Sequence, residues 1–137
     1  EKGGWSMAAH AALRKVTLNA ARSKEFPDGS IRHGYDFVAP LTGDGHINLG
    51  DWKQHRGECF AHRFWGNEPA LRGLLVHHAG GRGGSTWAFE WKGGTKDEAE
   101  EEGFRFGDHA FKVGEYVSVR EEEGELLTFR VVSVGNP

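Results

Sequence analysis

Runs of alternating apolar and polar residues, cut every ten residues or so by a glycine-bearing turn, fill almost the whole 137-residue chain. A period of two puts successive side chains on opposite faces of a strand, so this rhythm points to a β architecture before any motif is considered. The 21 glycines against 4 prolines supply turns in number, which favours many short strands over a few long helices.

An alanine-rich lead from Met7 favours a short helix before a first strand through VTLNA (16–20). FPDGS (26–30) is a turn. The strand that follows sets His33, Tyr35, Phe37 and Ala39 on one face and Arg32, Asp36 and Val38 on the other, and it ends near Pro40. Asn48 is placed to cap a one- or two-turn helix over Leu49–Arg56, stopped at Gly57, which suits a plug for a barrel end or edge. In ECFAHRFW, Phe60, His62 and Phe64 oppose Cys59, Ala61, Arg63 and Trp65. In LRGLLVHH, Leu74, Val76 and His78 oppose Leu75 and His77, and in STWAFEW the residues Trp87, Phe89 and Trp91 share a face. The AGGRGGS stretch (79–85) between them reads as a hairpin connection, since no helix and no Gly-Lys-Ser/Thr follows it. KGGTKDEAEEEG (92–103) reads as a solvated loop, and the last third as a hairpin across EEEGE. The expected fold is therefore mainly all-β, a small antiparallel barrel or sandwich of about seven strands with one short helix.

A chain of this length fits one domain and buries roughly two-thirds of its unfolded surface. EKGGWS (1–6) has the look of an expression-tag remnant, which leaves 7–137 as a single β-rich domain. Residues 1–92 carry 12 Lys and Arg against 9 Asp and Glu, and residues 93–137 carry 5 against 11. The acidic run from Asp97 to Glu102 would repel a phosphate backbone, so a nucleic-acid partner is disfavoured. Cys59 is the one cysteine, which excludes an intrachain disulfide and a cysteine zinc cluster and fits a reducing cytoplasm. No apolar run is long enough to span a bilayer, so no membrane partner is expected.

Eight histidines are the chemical signal. His33, His62, His78 and His109 come from four separate segments, and a closing barrel could bring three imidazoles and a carboxylate together as ligands for zinc or another divalent ion. None sits in a compact ligand motif, so each also reads as an ordinary hydrogen-bonded or surface histidine. A second possibility is a pocket for a small anionic ligand, with Trp65 and Trp87 among its aromatic walls and Arg63 or Arg105 fixing the anion. The same aromatic stripes also read as core. A Cys59–His62 nucleophilic pair is disfavoured, because an offset of three places the two on opposite faces of a strand. Asp108 with His109, or Asp36 with His33, remain acid/base pairs of no special pattern.

The stretch GDHAFKVGEYVSVREEEGELLTFRVVSV (107–134) is similar in its strand–turn–hairpin rhythm to cupin jelly rolls and to PUA-like barrels. The paired histidines and glutamate of the first are missing upstream, and the hairpin is acidic where an RNA-facing surface is basic, so neither family is assigned. The sequence thus supports a binding module for a metal ion or small ligand. Its alternatives are a protein-interaction domain using the acidic loop and C-terminal hairpin, or a metal-dependent enzyme.

Overall fold

A computed structural model describes residues 11–81, 84–92, 100–121 and 124–137, the side chains of 80, 81, 84 and 85 excepted. Eight strands form one closed barrel in which each pairs antiparallel with the next and the last returns to the first. They are β1 (Ala12–Ala20), β2 (Ser30–Leu41), β3 (Phe60–Trp65), β4 (Glu68–Gly81), β5 (Gly84–Lys92), β6 (Glu100–Phe104), β7 (Tyr116–Arg120) and β8 (Leu126–Gly135). The helix α1 (Leu49–His55) lies between β2 and β3. Closure removes every open sheet edge, which explains how short strands such as β6 persist without a second sheet behind them.

Alternation decides which side chains fill the barrel. Val16 and Leu18 from β1, Tyr35 and Phe37 from β2, Leu75 from β4, Phe89 from β5, Val117 and Val119 from β7, and Phe129 and Val131 from β8 are all buried. An eight-stranded barrel is just wide enough for its own side chains, and here aromatic rings fill it. Tyr35 stacks near Phe89 and Phe37 near Phe106, with centroids 5.2 and 5.9 Å apart. Gly103 is needed for this packing: an added Cβ would come within 2.4 Å of the Phe106 ring.

Asn48 Oδ1 accepts from the Asp51 amide at 2.9 Å, the N-cap read from the sequence. The helix does not stop at Gly57, because a 3₁₀ turn over Arg56–Glu58 continues it. Trp52 is the buried face of α1, donates from Nε1 to the Leu75 carbonyl at 3.0 Å, and packs edge-on to Trp87. With Phe106 and Phe111 from the β6–β7 connection it closes one end of the barrel in aromatic and aliphatic contacts.

The closed antiparallel barrel with one short helix is the fold expected from the sequence, with eight strands where about seven are counted there. Three details change. The additional strand is β6, taken from the acid-rich stretch 92–103 that reads as loop, of which residues 93–99 lie outside the described residues. GNEP is a turn only as far as Asn67: β4 begins at Glu68, and its register against β3 slips by one residue at Pro69 and Ala70, where proline's missing donor costs least. The alanine-rich helical lead falls largely outside the described residues, and from Ala12 the chain is already strand.

Candidate functional site

The other end of the barrel is built differently. The ends of β1, β3, β5 and β7 gather there. Below them Arg63, Tyr35, Trp65, Trp91 and Glu101 project inward from β3, β2, β5 and β6, and Glu121 follows β7.

Glu101 is the one buried charged residue among those described, at 6 % exposure. Its Oε1 accepts from the Tyr35 hydroxyl and from Trp91 Nε1, each at 3.0 Å, and lies 3.5 Å from Arg63 Nε. Arg63 also meets Glu121 at 3.3 Å and Glu68 at 3.8 Å, and its guanidinium lies over the Trp65 ring, 4.1 Å from the centroid. The buried Arg63 Nε nonetheless has no hydrogen-bond partner of good geometry among the described residues. Burial opposes the charge on Arg63, but the Tyr35 hydroxyl and the carboxylates of Glu101 and Glu121 outweigh it and hold the group protonated. Burial, then the charge of Glu101, pushes the Tyr35 hydroxyl well above its ordinary range. Burial first, and then Glu101, also raises the Glu121 carboxyl above that of a free glutamate.

The rim above this cluster is aromatic. Phe26, from the β1–β2 connection, lies 4.7 Å from the His33 ring and 5.9 Å from Trp65, and His33 meets Trp65 edge-on at 5.0 Å. His33 Nδ1 is held at 2.7 Å by Ser30 Oγ.

The structure separates the four histidines expected to meet. His33 is at this rim. His62 is on the outer surface of β3, because the register against β2 puts Ala61, Arg63 and Trp65 inside. His78 is outside on β4, 3.0 Å from Glu100, and His109 follows the 3₁₀ turn Phe106–Asp108 at the opposite end. Among the described residues no three His, Cys, Asp or Glu side chains gather where they could hold a metal ion. The four aromatic and arginine candidates divide likewise. Arg63 and Trp65 stand together in the cluster, Trp87 belongs to the helix-closed end, and Arg105 is exposed in a left-handed backbone turn with its guanidinium near Phe104.

Asp36 bonds His62, at 2.8 Å, and not His33. Cys59 is buried, donates to the His55 carbonyl at 3.4 Å, and has its thiol pushed up to about 11 by burial and then by Glu58, which makes it a poor nucleophile. Glu68, Glu101 and Glu121 are the site residues that sequence reasoning misses. The three described acids of the run are all engaged: Glu100 by His78, Glu101 by the internal cluster, and Glu102 by Arg120 at 3.4 Å. No helix among the described residues is long and apolar enough to cross a membrane. Searches of protein families, of curated proteins and of solved structures each found nothing that matches this chain.

Proposed function

We propose that the protein is a small-ligand binding module whose site is the charged end of the barrel, and that the ligand is a small organic cation with an apolar or aromatic body. The observation that carries this reading is that three carboxylates, of Glu68, Glu101 and Glu121, crowd one guanidinium beside aromatic faces. Arginine alone would suggest an anionic ligand, but its charge is already more than matched, and an added anion would be repelled. A protonated amine would supply the missing positive charge, accept the aromatic faces of Trp65 and His33, and favour the ionised form of Glu121. Buried charges are costly, and polar groups assembled inside an otherwise apolar core are characteristic of binding sites.

Benzylamine, with benzyl alcohol as its uncharged counterpart, tests the charge requirement by amide and indole NMR. The amine is expected to move the resonances of Trp65, His33 and Trp91, and the alcohol to leave them in place. Glu121→Gln should weaken the amine about tenfold, the low end for one charge-assisted hydrogen bond. Equal effects of amine and alcohol, or an affinity unchanged by Glu121→Gln, would refute the proposal.

A further inference from the structure

The β1–β2 connection, residues 21–29, carries Phe26 to the rim of the charged end. The connection is closed on itself. Ser23 N and Gly29 N both donate to the Phe26 carbonyl at 2.9 Å, and Phe26 N donates to Ser23 Oγ at 3.0 Å. At its root Ala21 N donates to the Thr128 carbonyl at 3.0 Å. At its return to β2, Gly29 turns at φ 74°, and a Cβ there would come within 3.0 Å of the Ala20 carbonyl. A self-bonded turn joined to its strand through a left-handed glycine has a pivot at that glycine.

The Phe26 ring fastens the tip of this turn to the barrel. It lies 4.7 Å from the His33 ring and 5.9 Å from Trp65, the two aromatic faces that the cation site offers a ligand. The Arg63 guanidinium already lies over Trp65, and Tyr35, Trp91 and Glu101 are buried beneath. A ligand's ring therefore meets His33 and Trp65 by taking the place of Phe26. The same turn brings Glu25 within reach of Glu121, whose carboxyl is raised first by burial and Glu101 and then by Glu25 as well. Like charge thus pushes outward on a turn that ring contacts hold down.

We propose that Phe26 is the specificity-determining residue of the charged end, a displaceable stand-in for the ring of an arylalkylamine. The inference rests on the cation-site reading and adds what makes that site demand a charge. A neutral ring that replaces Phe26 exchanges one set of ring contacts for another and gains little. An arylalkylamine makes the same exchange and adds the attraction of its ammonium to the carboxylates. Affinity for any ligand is lowered by the fraction of molecules in which the seat is free, so a seat filled by Phe26 admits only ligands that bring more than a ring.

Benzylamine and benzyl alcohol, titrated by NMR into the parent and into Phe26→Ala, test the stand-in. The variant is expected to bind benzylamine about tenfold more tightly than the parent, the worth of two aromatic contacts. It should also bind benzyl alcohol, with shifts at His33 and Trp65 that the parent does not show. Gly29→Ala strains the closed turn without altering any of the three rings, and should tighten benzylamine about fivefold. In the parent, the NOE between the Phe26 and Trp65 rings should vanish as benzylamine saturates. Unchanged amide resonances in β5–β8 will show that each variant folds; should Phe26→Ala fail to fold, Gly29→Ala and the NOE decide. If neither variant tightens benzylamine, or if the NOE persists at saturation, Phe26 is a fixed wall and the proposal falls, while a parent that prefers the amine to the alcohol keeps the cation site. If Phe26→Ala tightens both ligands but the parent prefers neither, the stand-in holds for a neutral ring and the cation reading falls.

Discussion

The two ends of the barrel solve the same problem with opposite chemistry. At one, Trp52, Trp87, Phe106 and Phe111 close the cylinder with rings and an indole-to-carbonyl hydrogen bond. At the other, a guanidinium, two carboxylates, a phenol and an indole occupy the equivalent depth. Either would exclude water, but only the first does so cheaply, because desolvating an ion pair takes back most of what its attraction contributes. The contrast argues that the apolar end exists for stability and the charged end for something else.

Truncation at the apolar end should have the largest effect. Phe106→Ala removes a ring that touches Phe37, Phe89 and Phe111, and it should cost about 3–5 kcal/mol in equilibrium unfolding. At the charged end Glu101→Leu strands the Tyr35 hydroxyl and the Trp91 N–H inside and unbalances Arg63, which should cost about 3 kcal/mol. Comparable losses from a small charged group and a whole ring would show how much rests on the partners of one carboxylate.

The pH dependence sharpens the comparison further. Glu121 has its carboxyl raised in the folded state, first by burial and then by Glu101. The folded protein therefore binds a proton more tightly than the unfolded chain, and this contribution is present below the ordinary glutamate value and lost as pH rises through the folded one. Glu121→Gln should accordingly gain stability relative to the parent as pH is raised from 4.5 towards neutrality, measured by thermal unfolding at each pH. Smaller effects belong to groups outside both ends. Asn48→Ala loses the cap of α1 and should cost about 1 kcal/mol. His78→Ala breaks an exposed pair with Glu100 and should change stability by no more than about 0.5 kcal/mol.

The faces of most strands were legible because alternation is a local property: His77 with Leu75, and Trp87 with Phe89 and Trp91, follow from the sequence alone. The helix cap at Asn48 was legible for the same reason. Strand β6 was not, because Glu100, Glu101 and Glu102 carry no apolar alternation; Glu101 faces inward only because Phe89 and Arg63 stand across from it. Nor could the sequence reveal that Asp36 meets His62, since that depends on the β2–β3 register. Local pattern gives the face of a side chain, and pairing decides its company. The expected gathering of four histidines failed at this step, while Arg63 and Trp65, two apart on β3, were kept together by the strand itself.

The central claim, that the charged end is kept for a ligand at the expense of stability, is tested most directly by removing its charges together. Arg63→Met, Glu101→Gln and Glu121→Leu in one chain delete the ions and leave an acceptor for Tyr35 and Trp91. Equilibrium unfolding should find this variant as stable as the parent or more so, by up to about 4 kcal/mol, with the benzylamine response abolished. A loss of more than about 2 kcal/mol would contradict the account and make the cluster a structural element of the barrel.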